Sequence, residues 1–184
     1  WREAGLPTWP IAVNLADMQF RDIGFVDSLE QMLREHGIDG ELLELEISER
    51  MLVDDVPEVR RRLLRLKKLG IRLAVDDFGT GYFSPRHLKE LPVDKIKIDR
   101  AFVRDLPHAR DSAAIAGAII QMAGALGKRV IAEGVENESQ RALLAELGCH
   151  EIQGDVVSAP LPADGFEAWL SSRPGSLRLR PMPA

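Results

Sequence analysis

Polar side chains recur along this chain, each just behind a short apolar run. They are Asn14, Glu46, Glu49, Asp76, Asp77, Lys97, Asp99, Glu133, Glu136 and Gln153. Most of them are carboxylates, and like charges crowded into one place raise one another's pKa values or separate unless cations lie among them. If the apolar runs end at one common edge, the sequence therefore predicts a cation site there.

The donor atoms of this set indicate which cation it would bind. All the candidate ligands are oxygen donors, apart from Lys97, and neither His nor Cys stands at these positions. Hard oxygen ligands suit Mg²⁺ or Mn²⁺ better than zinc. The adjacent Asp76 and Asp77 would place one carboxylate on each of two ions about 3.5–4 Å apart, as in two-metal phosphoester hydrolysis. Lys97 would then steady a phosphate oxygen or the attacking water, and Glu133 would accept the proton of that water.

Taken one at a time, the same residues have simpler interpretations. Glu49 and Asp99 are each equally well explained as helix caps or solvated loop residues. Taken alone, Lys97 is better explained as a surface lysine or a salt-bridge partner, and Asn14 as a turn residue. The recurrence behind one run after another favours a shared site. The histidines and the cysteine, which are common metal ligands, do not stand at spacings typical of a metal site. We interpret these residues as structural: His36, His87, His108, His150 and Cys149.

The apolar runs predict six strands buried on both faces, as in a parallel sheet, at residues 11–16, 42–48, 71–77, 95–99, 129–134 and 151–154. Segments of helical period lie between them, with predicted core faces at Phe25, Leu29, Met32 and Leu33, at Val59, Leu63, Leu66 and Leu69, and at Ile115, Ile119, Met122 and Leu126. We expect Asp54 and Asp55 to cap the second helix, and Gly70, Gly127 and Gly148 to end helices. This alternation indicates βαβ units.

The overall fold class predicted is α/β, as a TIM-like (β/α) barrel. A barrel gathers the C-terminal ends of its strands into one mouth, whereas a doubly wound sheet concentrates its site at one switch point. A complete barrel takes about 250 residues, so we expect about two further units upstream of Trp1. The barrel domain is predicted to span residues 1–172, and residues 173–184 to form an exposed tail.

Composition narrows the class of protein further. The 184 residues are 45% hydrophobic, enough for one sizeable core, and carry a net charge of −5, which disfavours binding to a nucleic-acid polymer. One cysteine excludes a disulfide framework and fits a reducing compartment, so cytoplasm is the expected location. No run reaches the roughly 18–20 apolar residues of a membrane span.

The segment DDFGTGYFSPRHLKELPVDKIKID, from Asp76 to Asp99, resembles the EAL domain family, which usually has DDFGTGYSSL followed by LPVDxLKID. The blocks AVNLA, ELEISE, AEGVE and QG follow the family's order and spacing. The resemblance implies a modified TIM barrel that hydrolyses cyclic di-GMP to linear pGpG with Mg²⁺ or Mn²⁺.

The resemblance also implies a role for each residue. Asn14, Glu46 and Asp76 would bind the first metal ion and Asp77 the second. Lys97 and Glu133 would handle the nucleophilic water, and Glu49 would hold the DDFGTG loop, whose Gly79 and Gly81 permit turns closed to larger residues. The remaining substrate-side positions would be Asp77, Asp99, Glu136 and Gln153.

The sequence departs from the family at three places, and two of them, the absent Glu-Ala-Leu block and Asp155, favour an alternative, a non-catalytic domain that binds cyclic di-GMP or mediates contacts. The Glu-Ala-Leu block is not in these residues and is expected upstream, Phe83 and Pro85 replace the usual serine and leucine of the loop, and Asp155 stands where an aromatic commonly stacks on guanine. The resemblance further implies a neighbouring GGDEF or sensory domain, which could tether the protein to a membrane, and a homodimer.

Overall fold

The computed structural model describes residues 1, 8–52, 56–79, 81 and 85–172, with the side chains of residues 85–87 left out. The predicted caps Asp54 and Asp55, the loop residue Phe83, the side chains of Pro85 and His87, and the tail 173–184 therefore lie outside the described part. Within it, strands and helices alternate as the sequence predicts.

The six predicted strands are all present and form one parallel sheet in chain order. They are β1 (Ile11–Asn14), β2 (Leu43–Ser48), β3 (Arg72–Phe78), β4 (Lys95–Ile98), β5 (Arg129–Ala132) and β6 (Glu151–Ile152). Parallel strands in sequential order that curl around a common axis are the arrangement of a barrel wall, so the α/β half-barrel confirms the predicted fold class.

Helices connect the strands, and their bounds are α1 (Asp17–Arg21), α2 (Phe25–Glu35), α3 (Val56–Lys68), α4 (Pro85–Glu90), α5 (Arg110–Ala125), α6 (Glu138–Glu146) and α7 (Ala163–Ser171). Gly70, Gly127 and Gly148 follow α3, α5 and α6 with positive φ angles of 83°, 67° and 87°. These left-handed stops confirm the predicted helix ends. None of the described helices combines the length and apolar character that a bilayer crossing requires.

The central strands are buried on both faces, but their inner face is largely charged. Leu73, Val75 and Ile96 are fully buried, and their neighbours along β2 to β5 alternate with charged side chains. Successive residues of β2, β3 and β4 are buried, including Glu44, Glu46 and Lys97 on the inner face, which confirms the prediction of burial on both faces for these strands. For β1, which is exposed throughout, the prediction was wrong. In β1, Ile11 and Val13 remain 55% and 45% exposed, since β1 is the edge strand of the described sheet.

Two of the predicted core positions in the helices were also wrong. Val59, Leu63 and Leu66 are buried as expected, but Met32 and Ile115 are 53% and 41% exposed. In α5, the buried stripe consists of Ala116, Gly117, Ile119, Ile120 and Ala123. Ile115 lies about 100° around the helix from Ala116, outside this stripe, and therefore faces solvent.

Ion pairs across the inner face show how strongly the sheet curves. Lys95 Nζ on β4 lies 3.0 Å from Glu44 Oε1 on β2, although β3 lies between these strands. At this level β3 carries Ala74, which pairs with Lys95 in the β3–β4 register. The small alanine leaves the space over which the two long side chains meet, so the inner face is concave and charged.

Candidate active site

Lys97 is the centre of a charged cluster at the C-terminal ends of the strands. It is 3% exposed. Its Nζ lies 2.5 Å from Glu46 Oε2, 2.7 Å from Glu133 Oε1 and 3.3 Å from Asp76 Oδ1. β2, β3, β4 and the residue after β5 each contribute one of these side chains. The curled wall thus brings together residues that are far apart in the chain.

The protonation of this cluster is set by opposing effects. Burial pulls the pKa of Lys97 down, but hydrogen bonds to Glu133 and Glu46 outweigh it and raise the pKa above its ordinary value, so Lys97 is a fixed cation. Burial raises the pKa of Glu133, against the opposite effect of Lys97. Glu133 is therefore a stronger proton acceptor than an exposed glutamate would be.

Asp77 extends the cluster from the end of β3. Its φ is 54°, the only positive value among the described residues other than glycine. Such a conformation turns the side chain out of the strand's alternation, and it is common at functional sites. Loss of water around the carboxyl, the adjacent Asp76, and a hydrogen bond with the Asp99 side chain raise the pKa of Asp77. Asp99 also accepts a 2.7 Å hydrogen bond from the Ala101 amide, which confirms its interpretation as a cap, and its role as a site residue stays a prediction.

Asn14, at the end of β1, faces the same carboxylates. The atom of its amide that points towards them lies 3.2 Å from Glu46 Oε2 and 3.3 Å from Asp76 Oδ2. With the amide nitrogen in that place, Asn14 donates to both carboxylates. With the amide oxygen there, three oxygens converge and require a cation between them.

The donor set fits a divalent cation. Carboxylate oxygens of Asp76, Asp77 and Glu133 all lie within 4.8 Å of one another. Together with Glu46 they bring four negative charges against the single positive charge of Lys97. Such an excess of negative charge is stabilised by bound cations, and carboxylate and amide oxygens are the ligands that Mg²⁺ and Mn²⁺ prefer.

Glu49 lies behind the cluster and contacts the loop after β3. It is 2% exposed, and its Oε2 accepts a 2.8 Å hydrogen bond from the Gly79 amide. Gly79 has a φ of 103°, and a Cβ built there would lie 2.8 Å from the Phe102 ring. Glycine is therefore needed at this position. Glu49 therefore contacts the start of the DDFGTG segment, and its role in holding the rest of that loop stays a prediction.

The other predicted site residues lie further out on the rim. Glu136 and Gln153 are exposed, as is Asp155. The Gln153 backbone joins the end of β5 through hydrogen bonds with Ala132 and Val135. These positions line the same edge as the cluster without belonging to it, and their substrate-binding roles stay predictions.

Residues outside this edge behave structurally. His150 Nδ1 accepts a 3.1 Å hydrogen bond from the Val130 amide. The Cys149 side chain is partly buried, with Sγ 3.2 Å from the Glu151 carbonyl oxygen. His150 is exposed and Cys149 is partly buried, and the backbone contacts of both fit the interpretation of structural residues.

A second charged layer lies one step below the cluster and was missed by the sequence analysis. Lys95 contacts Glu44 and Glu151, and Arg129 Nη2 lies 2.7 Å from Glu151 Oε1. A sequence signal for it exists. Glu44, Lys95 and Glu151 each stand two residues before a predicted site residue, and side chains two apart on a strand share a face.

The fold and the cluster define the class, a parallel βα barrel domain whose mouth holds an acidic site around a buried lysine. The sequence model described as "EAL domain" matches residues 1–160. The chain belongs to the EAL domain family.

Similar proteins include the bifunctional diguanylate cyclase/cyclic di-GMP phosphodiesterase MucR of Pseudomonas aeruginosa, 40% identical over 164 residues. That alignment covers 89% of this chain and 24% of MucR, so the chain spans about a quarter of this curated relative. A solved structure of the MucR phosphodiesterase in complex with c-di-GMP superimposes with a TM-score of 0.86 at 40% identity, covering 90% of this chain and 67% of that one.

Two further solved structures are similar to this one. The EAL domain of Mycobacterium smegmatis DcpA gives a TM-score of 0.87 at 36% identity over 94% of this chain and 78% of that chain. Klebsiella pneumoniae BlrP1, solved as a manganese/cy-diGMP complex, gives a TM-score of 0.77 at 29% identity. That alignment covers 86% of this chain and 41% of the BlrP1 chain.

Proposed function

We propose that this domain hydrolyses cyclic di-GMP to linear pGpG with Mg²⁺ or Mn²⁺. The observation that carries the proposal is the position of Glu133. Its Oε1 lies 2.7 Å from Lys97 Nζ, and one of its carboxylate oxygens lies within 4.8 Å of carboxylate oxygens of Asp76 and Asp77. A proton acceptor, a fixed cation and a divalent-ion ligand set lie within reach of one bound phosphate.

The metal ligands proposed are Asn14, Glu46 and Asp76 for one ion and Asp77 for a second. When bound, such ions polarise the phosphoryl oxygens and lower the pKa of a water molecule. The φ of 54° at Asp77 breaks the alternation of β3, and a carboxylate oxygen of Asp77 lies within 4.8 Å of one of Asp76. Adjacent carboxylates at this spacing suit the proposed pair of ions, one on each aspartate.

In the proposed reaction, Glu133 accepts the proton of the attacking water. Burial raises the pKa of Glu133 towards working pH, which strengthens it as a base. Lys97 remains protonated throughout, since its hydrogen bonds to Glu133 and Glu46 raise its pKa. It holds Glu133 in place and offers positive charge to a phosphate oxygen.

Cyclic di-GMP is proposed as the substrate because MucR, named a cyclic di-GMP phosphodiesterase, is 40% identical and because its structure holds c-di-GMP. Asp99, Glu136 and Gln153 are the proposed substrate-side residues, together with Asp77. A GGDEF or sensory neighbour and a homodimer stay predictions.

The second candidate is a domain that binds cyclic di-GMP without hydrolysing it. Asp155 favours this candidate, since it is exposed at the position where the family commonly has a stacking aromatic. A carboxylate there cannot stack and repels the two phosphates of the ligand.

The test compares Glu133→Gln with Glu138→Gln in the purified protein. Glu138 is a matched control, because it makes the same charge change on a side chain that is 72% exposed. We expect Glu133→Gln to lower kcat by about 10²–10⁴-fold with ligand affinity retained, and Glu138→Gln to leave both unchanged. Binding of cyclic di-GMP by the unmodified protein without conversion to pGpG would establish the second candidate, and neither binding nor conversion would refute both.

A further inference from the structure

Gln140 is a buried polar side chain that the chemistry above does not use. It lies in the first turn of α6 and is 1% exposed. Its Oε1 accepts hydrogen bonds from the amides of Glu136 and Asn137, at 2.7 and 3.2 Å. Its Nε2 donates to the carbonyl oxygens of Val103 and Arg104, at 3.2 and 3.0 Å. Both lone-pair sites and both N–H groups of the amide are thus occupied.

These four hydrogen bonds join two segments that carry site residues. Glu136 and Asn137 belong to the segment that leaves β5 through Glu133. Val103 and Arg104 follow the 3-10 helix Arg100–Phe102, which begins at Asp99 just after β4 and Lys97. Gln140 therefore connects the backbone behind Glu133 with the backbone behind Lys97.

The same two segments touch at a second point. Gly134 has a φ of 65°, and a Cβ built there would lie 2.7 Å from Arg100 Cβ. Beside it, the Glu133 amide donates a 3.2 Å hydrogen bond to the Ile98 carbonyl. The spacing of the segments is thus fixed from both sides of Glu133.

The capping box of α6 accounts for only one of these four hydrogen bonds, the one from the Asn137 amide. In the capping box of α6, the Asn137 side chain accepts from the Gln140 amide and the Gln140 side chain accepts from the Asn137 amide. A glutamate in place of Gln140 fulfils that role equally well. The contacts to Val103 and Arg104 need the two N–H groups, which only the carboxamide supplies.

We propose that Gln140 is a positioning residue that sets the distance between Glu133 and Lys97 by joining the two segments. This inference rests on the proposed hydrolysis. Gln140 would act on the distance between Lys97 and Glu133 without touching either residue, through its hydrogen bonds to the two backbone segments. Since small displacements of a reacting group lower rates steeply, loss of this join should appear in kcat and leave KM nearly unchanged.

The experiment compares Gln140→Glu with Asn137→Ala in the purified protein. Gln140→Glu keeps the acceptor for the capping box but places oxygens against the carbonyls of Val103 and Arg104. Asn137→Ala weakens the cap but leaves the Gln140 carboxamide in place. We expect Gln140→Glu to lower kcat about 10- to 100-fold at similar KM, and Asn137→Ala to lower the unfolding temperature with kcat within twofold of the unmodified protein.

Hydrogen exchange of the Glu133 amide supplies a readout that does not need activity. It should quicken in Gln140→Glu and stay unchanged in Asn137→Ala. A folded Gln140→Glu variant with normal kcat and normal Glu133 exchange overturns the inference. If Gln140→Glu does not fold, Gly134→Ala displaces the same segments from the other side, and a normal kcat in that variant overturns the inference equally.

Failure of the proposed hydrolysis can be distinguished from failure of the inference about Gln140. An unmodified protein that does not hydrolyse cyclic di-GMP refutes the hydrolysis, while the exchange of the Glu133 amide still decides whether Gln140 holds the two segments together.

Discussion

Lys97 Nζ lies 2.7 Å from Glu133 Oε1. The two residues are 36 positions apart in the chain and meet because β4, which contains Lys97, and β5, which Glu133 follows, are neighbours in the sheet. Lys97 at the same time contacts Glu46 and Asp76. One buried cation thus orients three carboxylates but neutralises only one charge. The excess negative charge is the physical basis of the predictions about metal ions.

Divalent cations should stabilise the fold. We expect Mg²⁺ or Mn²⁺ at about 100 times its dissociation constant to raise the free energy of unfolding by about 2.7 kcal/mol, measured by urea denaturation. Asp76→Asn should weaken this effect, and Asp105→Asn, at a side chain that is 51% exposed, should not. An equal gain from NaCl at the same ionic strength would show that the effect is only screening.

Gly79→Ala should destabilise the loop after β3. A side chain at φ of 103° is strained, and its Cβ would meet Phe102 at 2.8 Å, so we expect a loss of about 2–4 kcal/mol in urea denaturation. Gly37→Ala is the control, because Gly37 also has a positive φ but no atom within 4 Å of the added Cβ. Its cost should be about 1 kcal/mol. Equal losses would mean that Phe102 moves aside freely.

Lys95→Met should destabilise the protein by about 1–3 kcal/mol, because it leaves Glu44 and Glu151 without their shared cation at a partly buried site. Arg141→Met removes an exposed pair with Glu138 and should cost no more than about 0.5 kcal/mol. Urea midpoints compare the two. If both variants unfold alike, the lower charged layer contributes nothing to stability.

Cys149 should react slowly with iodoacetamide in the folded protein. Burial raises the pKa of its thiol, and the thiolate is the reactive form. At pH 8 we expect modification at least about 10-fold slower than in urea, followed by mass spectrometry. The chain has one cysteine, so no second thiol contributes to the signal. Similar rates in both conditions would contradict the packed position of this residue.

Much of the architecture was determined by local sequence. The six runs predicted as strands are strands, and glycines end the helices α3, α5 and α6 as predicted. Both features are local, because a cluster of apolar residues and a glycine with positive φ each act on a few neighbouring residues. Leu73, Val75 and Ile96 were predicted to be buried from their apolar runs, and they are. The types of the site residues, oxygen donors with one lysine, were likewise evident from the sequence.

Tertiary structure alone decided which of those residues meet. Glu46, Asp76, Lys97 and Glu133 converge because the sheet curls, whereas Glu136 and Gln153 remain on the exposed rim. Curvature is a property of the whole wall of strands, so no local pattern encodes it. The same curvature brings Lys95 to Glu44 across Ala74. The contact of Gln140 with Val103 likewise joins segments that are distant in the chain, and it forms only when they pack together.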